Sequence, residues 1–156
     1  MGRTTNSQLF TDDYRELLAA LIGAGARFLI VGAHALSVHG APRATVDLDV
    51  WIEPTPDNAR KVWQALAVFG APLGALGISE ADFTTPDIVA QLGLPPNRID
   101  ILTGVSGLTF GEAWDDRLEQ TIDRLRLPFL GRASLIRNKR ASARKKDLGD
   151  IESLGE

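Results

Sequence analysis

The sequence predicts an α/β (α+β) protein, a small mixed β-sheet flanked by helices. Short apolar runs of strand length alternate with longer segments whose apolar residues recur at helical spacing. Glycine and proline separate most of these segments, as expected at the ends of helices and strands. The chain has 156 residues and is 44% hydrophobic and 24% charged, which is typical of one globular domain. We therefore expect a single domain over residues 1–156 whose first ten residues are flexible.

The composition also excludes several classes of protein. The first ten residues lack the apolar core of a secretory signal, and no apolar run reaches the length of a membrane span. The chain has no cysteine, which rules out disulfides and thiolate metal sites. We expect a cytoplasmic protein with no membrane partner. Any metal must be held by oxygen atoms or by the two histidines.

The first half of the chain predicts three helices and two strands. Thr11 can cap a helix that runs to Ile22, and Gly23 and Gly25 follow it. The remaining elements in this half are a strand over 27–31, a helix over 33–39, a strand over 47–52 and a helix over 57–68.

The second half is richer in turns. It predicts a short helix begun by Ser79, two antiparallel strands over 87–92 and 98–103, and a helix over 111–116. Residues 120–130 predict a hairpin or an edge strand, and Pro128 favours an edge because proline lacks an N–H. A helical region then extends from Ser134 to Leu154.

Three aspartates lie on the predicted strands. Residues two apart on a strand point to the same face, so Asp47 and Asp49 lie side by side while Leu48 and Val50 face the core. Asp100 adds a third carboxylate if its strand is a neighbour. Carboxylates shared with water and phosphate are typical Mg²⁺ ligands. A solvated sheet edge with three unrelated acids explains the Asp-Leu-Asp tripeptide alone equally well.

A glycine precedes these aspartates at the start of a predicted helix. Val31-Gly32-Ala33 ends a strand and opens the helix over 33–39, whose first N–H groups can bind an anion. The motif is not a P-loop, because no Gly-Lys-Ser or Gly-Lys-Thr follows, and it lacks the later glycines of a dinucleotide fingerprint.

Basic residues are concentrated near the end of the chain. Seven of the 17 basic residues fall between 132 and 146 with no acidic residue among them, although the net charge of the chain is −3. Such a local cationic strip indicates a bound polyanion, such as a nucleoside triphosphate or an RNA end. A solvated helix face is the alternative interpretation.

Two runs of the sequence resemble a known family. Val31-Gly32-Ala33, followed after thirteen residues by Asp47-Leu48-Asp49-Val50, resembles the signature of the DNA polymerase β-like nucleotidyltransferase superfamily. More narrowly, the runs HGAPRATVDLD, which ends at Asp49, and IRNKRASARKKD, which ends at Asp147, resemble the abortive-infection (AbiEii-type) nucleotidyltransferase toxins and their small relatives. The resemblance extends over residues 27–154.

This resemblance implies the minimal nucleotidyltransferase fold and transfer of a nucleoside monophosphate from a triphosphate to an acceptor hydroxyl. Asp47, Asp49 and Asp100 match the carboxylates that hold Mg²⁺ or Mn²⁺, and Asp100 is expected to help deprotonate the acceptor. Lys139 matches a lysine expected at the nucleotide phosphates, and Asp147 matches an acidic residue near it. The implied partners are a nucleoside triphosphate such as ATP, an acceptor (an RNA or tRNA 3′ end, a protein or a small molecule), and an antitoxin protein.

Other residues are candidate nucleotide ligands. Gly32 and Ala33 offer backbone N–H groups, and Arg43 and Thr45 lie in the loop that leads to the aspartates. Arg43 can equally pair with a local acid. The family usually has Gly-Ser or Gly-Gly where this chain has Gly32-Ala33, so a serine hydroxyl is missing. The rival hypothesis is therefore a degenerate module that binds a nucleotide or a partner protein without turnover.

The basic strip cannot face one site with all its residues. On a continuous helix, Lys139 and Lys146 share a face, while Arg140 and Arg144 form a neighbouring row. We therefore expect Lys139 and Lys146 at the phosphates and the two arginines at the rim. Asp147 and Asp150 are candidate ion-pair partners of these bases.

Overall fold

The computed structural model describes residues 10–41, 47–94 and 96–155, and it consists of a six-stranded mixed sheet with helices on both faces. This architecture confirms the predicted fold class. In chain order the elements are α1 (Asp12–Gly23), β1 (Phe28–Val31), α2 (Gly32–Val38), β2 (Asp47–Ile52), α3 (Pro56–Phe69), a 3₁₀ helix (Glu80–Thr84), β3 (Val89–Leu92), β4 (Arg98–Leu102), α4 (Phe110–Asp115), β5 (Leu118–Ile122), β6 (Leu125–Phe129), α5 (Arg132–Ser142) and α6 (Lys145–Ser153).

The strand order is β3-β4-β2-β1-β6-β5. β2 pairs with β1 in antiparallel and with β4 in parallel orientation, so it lies inside the sheet with a neighbour on each side. β3 and β4 form the antiparallel pair that the sequence predicts. The parallel pairing of β2 and β4 decides which residues of the two strands stand side by side.

The two faces of the sheet carry different clusters of side chains. Leu48, Val50 and Ile52 are fully buried on the face that packs against α1 and α3. Trp51 belongs to the cluster on the opposite face, where its ring contacts Phe110 edge to face with centroids 5.2 Å apart. Because side chains alternate along a strand, Asp47 and Asp49 share the second face with Trp51. The first face supplies the larger core, and the second face carries the aspartates.

Local signals account for the helix boundaries. The Thr11 hydroxyl accepts a hydrogen bond from the Tyr14 N–H at 3.2 Å, and the Thr55 hydroxyl accepts one from the Asn58 N–H at 3.3 Å. Such caps satisfy N–H groups that the first turn of a helix leaves free. Gly70 ends α3 in the left-handed conformation, with φ 92°.

The basic region differs from the prediction, because residues 134–154 do not form one helix. α5 ends at Ser142, and Ala143 adopts a left-handed conformation with φ 53° before α6 begins at Lys145. The helical-face argument that paired Lys139 with Lys146 is therefore wrong, since the two residues belong to different helices.

Pro128 also lies elsewhere than expected. It is in β6, between β1 and β5, and β5 is the edge strand. The Leu130 N–H donates to the Ile30 carbonyl of β1. Because the N–H groups of successive residues point to alternate sides of a strand, the nitrogen of Pro128, two residues earlier, also faces β1. Pairing of β6 with β1 is accordingly confined to the end of β6, at Phe129.

The N-terminal segment is described only from Phe10 onward. The other residues of the segment that we expect to be flexible lie outside the described part of the chain. Phe10 itself is buried and stacks on His34 with ring centroids 5.3 Å apart. Within the described ranges, no helix has the length and apolar character needed to cross a membrane.

Candidate active site

The sheet brings the three predicted carboxylates together. Asp49 of β2 stands opposite Asp100 of the neighbouring parallel strand β4, and Asp47 stands opposite Arg98. Asp47 and Asp49 are half-buried, and Asp100 is buried. Because residues two apart share a face, all three carboxylates and Arg98 lie on the same side of the sheet.

Gly32 leaves room for Asp49. It begins α2 with φ +69°, and a Cβ added to it would collide with Oδ2 of Asp49 and lie 3.2 Å from Cγ. The glycine is therefore needed both for its left-handed backbone and for the close approach of the carboxylate. The sequence predicts that Gly32 admits phosphate oxygens; the structure shows that it also admits the side chain of Asp49.

The carboxylates create a strongly negative environment. Burial, followed by the charges of Asp100 and Asp47, raises the pKa of Asp49 to about 6, against a smaller opposing effect of Arg98. A hydrogen bond between the Asp49 and Asp100 side chains adds to the rise. Burial and the same three carboxylates raise the pKa of Tyr14 to about 12. Such a site favours a proton or a cation near Asp49.

Arg98 is the site residue that the sequence analysis missed. Its Nε and Nη2 donate to Oδ1 and Oδ2 of Asp100 at 3.3 and 3.2 Å, and its Nε lies 3.8 Å from Oδ2 of Asp47. The carboxylates raise the pKa of Arg98 above its ordinary value, Asp100 most strongly. The signal was present in the sequence, because Arg98 precedes Asp100 by two residues and so shares its face.

The chemistry of these residues fits a divalent cation. Carboxylate oxygens are the ligands that Mg²⁺ and Mn²⁺ prefer, and the crowding that raises the pKa of Asp49 would be relieved by a metal. As the described side chains stand, no group of three or more His, Asp or Glu residues is arranged to hold a metal ion. The guanidinium of Arg98 lies between Asp47 and Asp100 instead.

A cavity of about 600 Å³ opens beside the aspartates. One part of its wall contains Gly32, Ala33, Asp47 and Asp49. The basic residues of the wall come from α5 and the start of α6, and its apolar residues come from β1, α2, β4 and the segment after β4. The basic residues are Lys139, Arg144 and Lys146, and the apolar ones include Leu36, Leu102 and Val105. A volume of this size is in the usual range for small-molecule sites.

The cavity unites most of the predicted site residues. Asp100, the register partner of Asp49 on β4, does not line the cavity. Arg144, expected at the rim, lines the cavity, whereas Arg140 is exposed outside it. Arg43 and Thr45 lie outside the described residues.

Lys139 is held in a buried ion-pair network. Its Nζ lies 3.1 Å from Oδ2 of Asp150 and 3.3 Å from Oδ1 of Asp147, and all three side chains are buried. Arg144 contacts Asp147 as well, with Nε 2.8 Å from Oδ2. Burial acts to raise the pKa of Asp147, but hydrogen bonds from Arg144 and Lys139 hold it below its ordinary value. Asp147 and Asp150 are thus ion-pair partners of Lys139, a role for which the sequence made them candidates.

Two solved structures show which fold this is. The chain aligns with lincosamide antibiotic adenylyltransferase LnuA, in its lincomycin-bound form, with a TM-score of 0.56 and 13% identity over 94% of this chain and 97% of that one. It aligns equally well with TM1012, a proposed nucleotidyltransferase from Thermotoga maritima (TM-score 0.56, 13% identity, 91% and 88% coverage). No protein-family model matches the sequence, and no curated protein matches it significantly.

The chain therefore has the fold of these two solved structures, the nucleotidyltransferase fold. The narrower resemblance to AbiEii-type toxins stays a prediction from the two sequence runs.

Proposed function

We propose that this protein is a metal-dependent nucleotidyltransferase that transfers a nucleoside monophosphate from a nucleoside triphosphate to an acceptor hydroxyl. One observation carries the proposal: Asp49 stands in register with Asp100 on the neighbouring parallel strand and lines a cavity whose wall also contains three basic residues. Carboxylates for a metal and cations for phosphates are the two parts that phosphoryl-group chemistry requires.

Asp47, Asp49 and Asp100 would hold Mg²⁺ or Mn²⁺, provided that Arg98 gives way. When bound, the metal neutralises phosphate charge and lowers the pKa of the acceptor hydroxyl. The backbone of Gly32 and Ala33 lines the same part of the cavity, so it can face phosphate oxygens directly. The missing serine hydroxyl at position 33 removes one side-chain contact and leaves the backbone N–H in place.

The transfer step forms one bond to phosphorus, breaks another and moves one proton. The acceptor oxygen attacks the α-phosphorus, and the bond from that phosphorus to the oxygen bridging to the β-phosphate breaks. Pyrophosphate leaves with the electron pair of that bond. The hydroxyl proton passes to the hydrogen-bonded pair of Asp49 and Asp100, and it reaches Asp100 by way of Asp49, which lines the cavity.

The basic wall stabilises the leaving pyrophosphate. Lys146 and Arg144 line the same cavity as Asp47 and Asp49, from the start of α6. Lys139 borders the cavity too, but its ammonium is bound by Asp147 and Asp150. We assign phosphate contact to Lys146, Arg144 and Lys139, with the two carboxylates fixing the position of Lys139.

Three classes of hydroxyl are candidate acceptors. The resemblance to AbiEii-type toxins favours an RNA or tRNA 3′ end, and with it a neighbouring antitoxin protein. The fold is shared with an enzyme named for adenylyl transfer to a lincosamide antibiotic, which makes a small-molecule hydroxyl an equal candidate. A protein hydroxyl is the third class of acceptor.

A second function has a specific observation in its favour. Arg98 already supplies a cation to Asp47 and Asp100, and Ala33 lacks the hydroxyl usual in the family. A degenerate module that binds a nucleotide or a partner protein without turnover would have these features.

Label transfer separates the two functions. The protein is incubated with Mg²⁺ or Mn²⁺, each α-labelled nucleoside triphosphate, and total RNA, total protein or a panel of small hydroxyl compounds. Asp49→Asn tests the site, and Asp57→Asn, an exposed residue of α3, is the charge-matched control. We expect transfer by the wild type and by the Asp57 variant and none by Asp49→Asn. No transfer above Asp49→Asn in any combination would reject the enzyme, and metal-dependent nucleotide binding in that case would favour the module.

A further inference from the structure

Arg98 occupies the place between the carboxylates that a metal would need. Its guanidinium contacts both oxygens of Asp100 and comes within 3.8 Å of Asp47. A guanidinium that donates two hydrogen bonds to one carboxylate is among the stronger ion-pair arrangements in proteins. The negative charge of the site is therefore partly compensated from within the chain.

The backbone of β4 places Arg98 beside the carboxylates. Arg98 and Asp100 are two residues apart on β4, so their side chains project from the same face. Asp47 is the register partner of Arg98 on β2. The Tyr14 hydroxyl donates to the Arg98 carbonyl at 3.0 Å, which fixes the backbone at the start of the strand against α1. The guanidinium is therefore held near the carboxylates by the backbone of β4.

A bound metal and Arg98 cannot use the same oxygens. Mg²⁺ binds carboxylate oxygen at about 2.0–2.1 Å with near-octahedral demands on geometry. In the described structure both oxygens of Asp100 accept hydrogen bonds from Arg98. The side chain of Arg98 is 34% exposed, against 12% for Asp100, so the arginine has room to move into solvent and the carboxylate does not. Entry of a metal therefore displaces the guanidinium.

We propose that Arg98 is an internal counter-cation that competes with the divalent metal for Asp47 and Asp100 and thereby weakens metal binding. The inference rests on the proposed function, because it concerns the same carboxylates. Arg98 is in this account a positioning residue: it keeps the carboxylates together while no metal is bound and leaves them when a metal binds. The consequence is a site that stays folded without metal and takes up a metal only at a higher concentration.

Metal titration of variants tests this competition directly. Mn²⁺ binding is measured on metal-free wild type and Arg98→Gln by calorimetry and by the paramagnetic resonance signal of free Mn²⁺, at about pH 8. Arg60→Gln, an exposed arginine of α3, is the charge-matched control. We expect Arg98→Gln to bind Mn²⁺ about tenfold more tightly than the wild type, the factor that corresponds to about 1.4 kcal/mol. Arg60→Gln should bind as the wild type does.

Thermal unfolding supplies a second readout. Without metal, Arg98→Gln should melt below the wild type, because three carboxylates lose their counter-charge, and saturating Mn²⁺ should raise its melting temperature more than that of the wild type. Adding Asp49→Asn to Arg98→Gln should abolish the gain in affinity. If Arg98→Gln does not fold, Arg98→Lys, whose ammonium cannot make the two-nitrogen contact, is titrated instead and should bind several-fold more tightly than the wild type.

The outcomes distinguish a failure of the competition by Arg98 from a failure of the metal site. Equal or weaker Mn²⁺ binding by the folded Arg98 variant, with binding by the wild type, would overturn the competition and leave the proposed function intact. Absence of Mn²⁺ binding in every folded variant would overturn the metal site itself.

Discussion

The backbone of Gly32 and the carboxylate of Asp49 are packed so closely that no side chain fits at position 32. A Cβ there would collide with Oδ2 of Asp49 and lie 3.2 Å from its Cγ and 3.3 Å from its Cβ. This contact joins the start of α2 to β2 at the edge of the cavity. The position of the carboxylate thus depends on the absence of a side chain at the first residue of α2.

Replacing Gly32 should lower the free energy of unfolding by more than the strain of its left-handed backbone alone explains. Gly25 has a similar φ of +72° but no atom within 4 Å of the added Cβ, which makes Gly25→Ala the matched control. We expect Gly25→Ala to lower the free energy of unfolding by about 1 kcal/mol through left-handed strain. Gly32→Ala should lower it by about 2 kcal/mol more, because it adds steric overlap. Urea denaturation of both variants measures the difference.

Removing the obstructing carboxyl group provides the check. In a background of Asp49→Ala, the cost of Gly32→Ala should fall most of the way to that of Gly25→Ala, because only the contact with the Cβ of residue 49 at 3.3 Å remains. An unchanged cost in that background would mean that the contact does not constrain position 32.

The stability of the metal-free protein should depend on the protonation of Asp49. The pKa of this carboxyl is about 6 in the folded protein, above its ordinary value of 3.8, so between these values the folded state holds more protons than the unfolded state. The stabilisation that the folded state gains from this proton is fully present below about pH 4, and it is lost as the pH rises to about 6. We expect a loss of about 2 kcal/mol, since each pKa unit corresponds to about 1.4 kcal/mol and solvent screens part of it.

Denaturant unfolding across this range isolates the effect. The difference in unfolding free energy between wild type and Asp49→Asn should change over pH 4 to 6 and stay flat above it. A difference that is independent of pH would show that Asp49 ionises normally. Saturating Mg²⁺ should remove the loss at neutral pH if the metal binds the ionised carboxylate.

Lys139 should matter for folding as well as for the site. Replacing it with methionine leaves Asp147 and Asp150 buried with one cation fewer, and breaking a buried ion pair on one side costs about 3–5 kcal/mol. Arg144 still pairs with Asp147, which places the expected loss at about 3 kcal/mol, the lower end of this range. Lys145→Met, at an exposed position of the next helix, should stay within about 0.5 kcal/mol of the wild type. A loss below about 1 kcal/mol for Lys139→Met would contradict the buried network.

Replacing a basic residue that lines the cavity should weaken nucleoside triphosphate binding more than replacing a basic residue outside the cavity. Lys146→Gln removes a cation from the cavity wall, whereas Arg140→Gln removes one from the exposed surface beyond it. We expect nucleoside triphosphate affinity to fall about tenfold for Lys146→Gln, as for loss of a charge-assisted phosphate contact. Arg140→Gln should stay within about twofold of the wild type, in calorimetric titrations with metal present. Equal effects of the two substitutions would show that only overall charge matters.

Much of the fold could be predicted because its signals are local. The bounds 47–52 of β2 agree with the prediction, since Leu48 and Val50 alternate with acids that must face water or a ligand. Thr11 is recognisable as a helix cap, and glycine marks the end of α3. Such signals act within a few residues and do not depend on the rest of the fold.

The features that were missed depend on non-local contacts or on rare conformations. Ala143 gives no sequence signal for the left-handed conformation that separates α5 from α6, because alanine usually favours a helix. The spacing of Arg98 and Asp100 is visible in the sequence, but the contact of Arg98 with Asp47 requires β4 to pair with β2. Pro128 fits inside the sheet because the pairing of β6 with β1 begins after it. The places of Arg98 and Pro128 therefore follow from strand pairing, and the break at Ala143 follows from a backbone conformation that alanine rarely adopts.

A crystal structure with Mn²⁺ and a non-hydrolysable nucleoside triphosphate would show the metal contacts and the phosphate contacts together. The proposed function predicts an anomalous Mn²⁺ peak coordinated by Asp47 and Asp49, with Arg98 moved off Asp100. It also predicts the triphosphate in the cavity, with its terminal phosphates toward Lys146 and Arg144. A triphosphate bound away from this cavity, or a metal that avoids both aspartates, would contradict it.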